Sequence, residues 1–169
     1  ARLLGQVAVA EILADDAAPY GWLGSVLDAV MAAHVVYPRV DACPAGYSAR
    51  WLQAVLRGRL GYGGAIFTDD LSMEAARHIE GRAISPVEAV RAALDAGCDL
   101  ALLCNQSLDG GRVLDETIDG LARAQIEGRW QPRAASGARG QALLPREPAP
   151  DWDALMRSPA YLHALALIP

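Results

Sequence analysis

The sequence predicts an α/β fold built on parallel strands, on three observations. Three short runs, residues 29–36, 65–68 and 100–104, are almost continuously apolar, as strands buried on both faces of a sheet must be. Helical patterns with recognisable start signals separate them. The resulting order, strand–helix–strand–helix–strand–helix, argues for parallel neighbours joined by right-handed crossovers. Three strands make either a small open sheet or part of something larger. A closed eight-stranded barrel of this kind takes about 250 residues, and this chain has 169.

Each element has a local cause. The first run ends at Tyr37-Pro38, where proline stops regular pairing. Ser48 is placed to cap a helix whose Trp51, Leu52, Val55, Leu56 and Leu60 fall at helical spacing, ended by Gly61-Tyr62-Gly63-Gly64. The second run ends on Asp69-Asp70, and the chain is expected to resume as a helix at Leu71-Ser72-Met73-Glu74. Ser85-Pro86-Val87-Glu88 is a capping box with proline at the first helical position, opening a helix through Val90, Ala93 and Leu94 to Gly97. After the third run, Val113, Ile118, Leu121 and Ile126 outline another amphipathic helix. Residues 133–150, rich in Ala, Gly, Arg and Pro, read as an irregular connector. In residues 151–169, Trp152, Leu155, Met156, Tyr161 and Leu165 describe a terminal helix packing back on residues 10–132.

Composition narrows the function. With 53% hydrophobic residues the chain can bury a sizeable core, aliphatic because Phe67 is its one phenylalanine. The formal charge is −5 and no basic run stands out, which argues against nucleic acid or an anionic membrane as partner. Cys43, Cys98 and Cys104 are odd in number and lack paired spacing, so they read as buried apolar residues in a reducing compartment. The stretch 27–36 is broken by Asp28 and His34 and is too short to span a bilayer. Ala1-Arg2-Leu3-Leu4-Gly5-Gln6 carries one basic residue and is interrupted by Gln6, so it does not read as a signal peptide, though the chain opens without a Met. The expectation is a soluble, cytoplasmic protein.

Two positions are placed for chemistry. In parallel α/β proteins reactive groups gather beyond the carboxyl ends of strands. Asp69 sits at such an end, where a carboxylate can attack an anomeric carbon. On the residues alone an N-cap role for Asp69 stands equally well, and for Asp70 it is the simpler reading. His34, at the end of the first run, either lines a pocket or is a buried histidine satisfied by backbone carbonyls. His78 and His163 fall in helical, exposed surroundings and are assigned no role.

Four segments in register resemble glycoside hydrolase family 3, in its bacterial β-N-acetylglucosaminidase branch. Leu27-Asp28-Ala29-Val30-Met31 with Ala33-His34-Val35 resembles that family's sixth barrel strand. Tyr37-Pro38, Val40-Asp41 and Pro44-Ala45 resemble the loop after it. Residues 63–73 resemble the seventh strand and nucleophile loop, most specifically in Phe67-Thr68-Asp69-Asp70-Leu71-Ser72-Met73-Glu74. Asp95-Ala96-Gly97-Cys98-Asp99 with Cys104-Asn105 resembles the eighth.

The resemblance implies the carboxyl-terminal portion of a (β/α)₈ barrel, incomplete, with about three strands and their helices. It implies a retaining β-N-acetylhexosaminidase with Asp69 as nucleophile and His34 in the wall of the sugar pocket. No metal or cofactor is implied, and the substrate is an N-acetylglucosamine-containing muropeptide or disaccharide from recycled cell wall. The family's acid/base histidine lies on a loop upstream of the sixth strand, and its sugar clamps include a Lys-His motif. Neither is matched in this chain, which contains no lysine. The chain is therefore expected to be a fragment or truncated product, inactive alone and prone to self-association through exposed sheet edges. A non-catalytic remnant that binds a sugar or partner is the alternative; an unrelated small α/β binding domain would make the strand–Asp–Asp motif fortuitous.

Overall fold

The computed structural model describes residues 9–168; the Ala1–Gln6 segment weighed as a leader lies outside them. Two short helices, α1 (Val9–Ala14) and α2 (Ala18–Leu23), lead into β1 (Ala29–Ala32). A 3₁₀ turn (Ala45–Tyr47) and a π-helix (Arg50–Arg59) cross to β2 (Ala65–Asp70). A second 3₁₀ turn (Glu74–Arg77) and a small hairpin, β3 (His78–Ile79) and β4 (Arg82–Ala83), precede α3 (Pro86–Ala96) and β5 (Leu100–Leu102). A third 3₁₀ turn (Gln106–Asp109) leads to α4 (Arg112–Ile126), then α5 (Ala134–Ala142), α6 (Trp152–Arg157) and α7 (Pro159–Ala166).

The main sheet has the order β1-β2-β5 and every pairing in it is parallel, as the strand–helix alternation requires. Side chains alternate across it. Val30, Ala32, Ile66 and Ala101 point to one face, where Leu52 of the π-helix and Val90 and Ala93 of α3 complete the core. Met31, Phe67, Leu100 and Leu102 share the other face. Met31 on that face is 54% exposed.

The helices form for the reasons the sequence suggests. Ser48 Oγ accepts from Trp51 N at 3.1 Å, and Trp51, Leu52 and Val55 are buried. The helix they open is wider than an α-helix; its last turn closes with Leu60 N donating to Val55 O at 2.9 Å. At α3 the capping box is complete, and hydrogen bonds from Ser85, with Arg82 beside it, hold the Glu88 carboxyl down at about 2. Helix α4 lies close on α3 because residue 120 is glycine: a Cβ there would come within 2.8 Å of the Val87 methyls.

The structure corrects several expectations. β1 stops at Ala32, short of residue 36, because the chain folds back and Val36 bridges Pro44 instead. β2 continues through both aspartates, and no helix starts at Leu71. Asp70 captures the backbone N–H of Ser72, a local turn that competes with helix formation. His78 consequently lies in β3, still exposed. In α4 the buried residues are Thr117 and Ala124, while Ile118 and Ile126 face outward. Thr117 can face the core because its hydroxyl is satisfied within the helix by Val113 O at 2.7 Å. Cys98 is buried, Cys43 is half-buried and Cys104 is exposed, and all three are free thiols.

The stretch 133–150 contains a nine-residue helix, α5, where an irregular connector was expected. It is tied to the amino-terminal ends of the strands through Asp99. Ser136 Oγ and Arg139 Nη1 donate to Asp99 Oδ1 at 2.6 and 3.1 Å, while Arg57 Nη2 and Ile66 N donate to Oδ2 at 2.6 and 2.9 Å. The terminal segment is two helices broken at Ser158-Pro159, and no residue of 151–168 is buried. The break splits the apolar positions between two axes, so no single face packs back. Among the described residues, no helix is long and apolar enough to cross a membrane.

Candidate active site at the carboxyl end of the sheet

The carboxyl end of β2 presents two adjacent carboxylates in unlike surroundings. Asp69 stands near the end of β2, where the register with β5 shifts between Phe67 and Asp70. Its Oδ1 accepts from Asp70 N at 2.8 Å. Among the described residues its second oxygen accepts no hydrogen bond, and the residue is half-buried. One edge of the carboxylate is fixed and the other is open.

Asp70 is saturated by comparison. Its Oδ1 accepts from Ser72 N at 2.8 Å and Cys104 N at 3.0 Å, and its Oδ2 from Ser72 Oγ at 2.6 Å. Desolvation pushes its carboxyl up, but the hydrogen bonds from Ser72 and Cys104 outweigh it and hold the group below the usual carboxylate range. Asp70 thereby stitches the end of β2 to the loop after β5. Leu71 N donates to Leu102 O at 2.9 Å, and Leu102 N to the buried Thr68 Oγ1 at 2.8 Å, extending the seam. The thiol of Cys104 is pushed up by desolvation and the nearby charge of Asp70, the reverse of what activates a cysteine nucleophile.

His34 lies at the same end of the sheet, as the parallel arrangement anticipates. Its Nε2 is 3.1 Å from Asp70 O; a carbonyl only accepts, so Nε2 carries the proton. Nδ1 is buried and, among the described residues, has no partner. The ring packs 5.9 Å from Tyr47, whose hydroxyl donates to Ala76 O at 2.7 Å and is pushed by burial up to about 12.

His78 Nδ1 is 3.7 Å from Glu74 Oε1 on the surface, and His163 is exposed on α7. Among the described residues no three His, Cys, Asp or Glu side chains gather as a metal site. An apolar cavity of about 270 Å³ lies against β1, lined by Ile12, Met31, Tyr37, Trp51 and Val55, and does not reach Asp69. Sequence reasoning missed the stitching role of Asp70 and the hub at Asp99. Asp70-Leu71-Ser72 carried a usable signal, an aspartate two residues before a serine in a turn; the partners of Asp99 are 33 to 42 residues away and leave no local trace.

A parallel strand–helix sheet with an open carboxylate at its carboxyl end is the arrangement of part of a (β/α)₈ barrel domain. The model of the glycosyl hydrolase family 3 N terminal domain matches residues 6–131, and the chain belongs to glycoside hydrolase family 3. A beta-hexosaminidase of Bordetella parapertussis is 49% identical over 160 residues, 94% of this chain and 41% of that protein. One from Pseudomonas aeruginosa is 53% identical over 150 residues, 79% of this chain and 44% of that protein. NagZ from Neisseria gonorrhoeae, solved in complex with zinc ion, superposes with a TM-score of 0.72 at 31% identity, over 95% of this chain and 42% of that one. The chain thus spans about two fifths of the length of these relatives, and its fold is an incomplete (β/α)₈ barrel.

Proposed function

We propose that the protein acts, within a completed barrel, as a retaining β-N-acetylhexosaminidase that removes terminal β-N-acetylglucosamine from cell-wall fragments in the cytoplasm. Asp69 is its nucleophile. The observation that carries this reading is the contrast between the two aspartates: Asp70 has its oxygens occupied, while Asp69 keeps one oxygen open at the carboxyl end of β2. The relatives named beta-hexosaminidase support the sugar. The substrate is a muropeptide or disaccharide ending in N-acetylglucosamine, and no step calls for a metal or organic cofactor.

In the first step Asp69 attacks C1 of the sugar, forming an Asp69–C1 ester as the C1–O bond to the leaving group breaks. A general acid gives that oxygen its proton. In the second step water, deprotonated by the same group, attacks C1 and releases Asp69 as a carboxylate. The hydrogen bond from Asp70 N keeps the reacting carboxylate oriented without occupying its second oxygen. His34 stands beside this seam in the wall of the pocket. No residue of 1–169 is assigned as general acid, so this segment by itself is expected to be inactive and, with β1 and β5 each unpaired along one edge among the described residues, to self-associate.

The test is labelling with a fluorinated, mechanism-based N-acetylglucosaminide, followed by peptide mass analysis of a full-length form. The ester is expected on Asp69, and Asp69→Ala is expected to lose both label and turnover. A label on another residue moves the nucleophile, and a full-length form that neither labels nor hydrolyses an activated aryl N-acetylglucosaminide favours the non-catalytic alternative. Turnover of the same substrate by residues 1–169 alone would overturn the expectation that the segment is inactive.

A further inference from the structure

We propose that His34 is a positioning residue for the Asp69 carboxylate, acting through the Asp70 backbone rather than by bonding the sugar. The proposal rests on the reading of Asp69 as nucleophile. Its basis is a gap in the parallel ladder at the mouth of the sheet. β1 and β2 pair with Ala32 opposite Thr68, and continuing that register sets His34 opposite Asp70. The backbone beyond Ala32 has already turned to the following loop: Ala33 O accepts from Gly46 N at 3.4 Å and Val35 O from Ala45 N at 2.8 Å. The imidazole takes over on the β2 side, with Nε2–H donating to Asp70 O at 3.1 Å.

This bond holds the Asp70–Leu71 peptide from the β1 side, while Leu71 N holds it from the β5 side through Leu102 O at 2.9 Å. Asp70 N is the group that orients Asp69 Oδ1. Clamping Asp70 on both sides therefore sets the direction in which the open oxygen of Asp69 points. Neither ring nitrogen of His34 is available to a sugar hydroxyl, since Nε2 is committed and Nδ1 is buried. Asp70 O also accepts from Met73 N at 3.1 Å, so losing the imidazole loosens the peptide without leaving its carbonyl unpaired.

The experiment uses a full-length form with His34→Ala and His34→Gln, an activated aryl N-acetylglucosaminide as substrate, and Asp69→Ala as control. Displacing a reacting group by a fraction of its contact distance lowers the chemical step, so His34→Ala is expected to lower kcat roughly 10- to 100-fold. KM should stay within about twofold, because uniform binding is not what is lost. Glutamine can present an N–H near the Nε2 position and is expected to recover most of kcat. Two readouts do not depend on turnover: the imidazole ¹⁵N spectrum should show the Nε2–H tautomer, and the Asp70 and Leu71 amides should exchange faster in His34→Ala than in wild type or His34→Gln.

A raised KM at unchanged kcat, an Nδ1–H tautomer, or a glutamine variant that is folded yet no better than alanine would overturn the proposal. Full turnover by Asp69→Ala would instead overturn the nucleophile reading and the catalytic consequence drawn from it, while the tautomer and exchange readouts still decide whether His34 holds the loop.

Discussion

The two ends of the sheet use aspartate in opposite ways. At the amino-terminal end Asp99 is 1% exposed and accepts four hydrogen bonds, two of them from the guanidinium groups of Arg57 and Arg139. At the carboxyl end Asp69 accepts one, from the next residue's own amide. A buried carboxylate must be paired and hydrogen-bonded to offset the loss of water, and Asp99 meets that demand with partners from β2, the π-helix and α5. A nucleophile needs the reverse, one oxygen fixed for orientation and one left for the reaction. Asp70 stands between these extremes: at the mouth by position, at the hub by bonding.

That contrast can be broken most sharply by exchanging effects between the ends. In a full-length form Asp69→Ala is expected to reduce turnover by roughly 10⁴- to 10⁶-fold, the scale on which enzymes respond to losing a covalent nucleophile. Its unfolding midpoint should barely move, since the carboxylate makes one local hydrogen bond. Kinetics with an activated aryl N-acetylglucosaminide beside a urea titration checks both halves. Asp99→Ala should do the opposite. Leaving the guanidinium of Arg57 uncompensated costs about 3–5 kcal/mol of stability, read by the same titration, while activity per folded molecule persists. Activity loss from Asp99→Ala in fully folded protein would erase the distinction between the two ends.

Asp70 sharpens the comparison through pH. Its folded carboxyl is held below the ordinary value, so its stabilisation is present above the unfolded pKa of about 3.9 and is lost as pH falls through the depressed folded value. Asp70→Asn is expected to cost about 1–3 kcal/mol at neutral pH. The difference from wild type should shrink as unfolding is followed from pH 7 down to acid; a constant difference would mean that charge contributes nothing at this site. The smallest effect is expected away from both ends. Ser85→Ala removes the cap of α3 and should cost ~1 kcal/mol by urea unfolding, with no change in turnover.

Much of the site was legible because its signals are local. The apolar run before Asp69 suits a buried strand, and the capped helices on either side of it argue that the strand and its neighbours run parallel. Parallel strands put their carboxyl ends together, so Asp69 and His34 had to share one mouth. The capping box at Ser85-Pro86-Val87-Glu88 and the cap at Ser48 are each written within four residues, and both form as read. Where local signals competed, the reading went astray: Asp70 and Ser72 could start a helix or close a turn, and the turn prevailed. In residues 133–150 the abundant glycine and proline obscured α5, whose helix is supported by side chains that reach Asp99 and Gly63 O.

By itself, then, the sequence determined the order and direction of the strands, the helix starts at Ser48 and Ser85, and which residues stand at the carboxyl end. Those properties follow from hydrophobic period, chain connectivity and capping, all carried by neighbouring residues. Tertiary structure decided what holds Asp70 beyond its local turn with Ser72. Cys104 N, from the loop after β5 and 34 residues along the chain, completes the Asp70 carboxylate, and His34, 36 residues away on the other side, holds the Asp70 carbonyl. A carboxylate's chemistry is set by the donors that reach it, and those donors converge only when the strands are side by side.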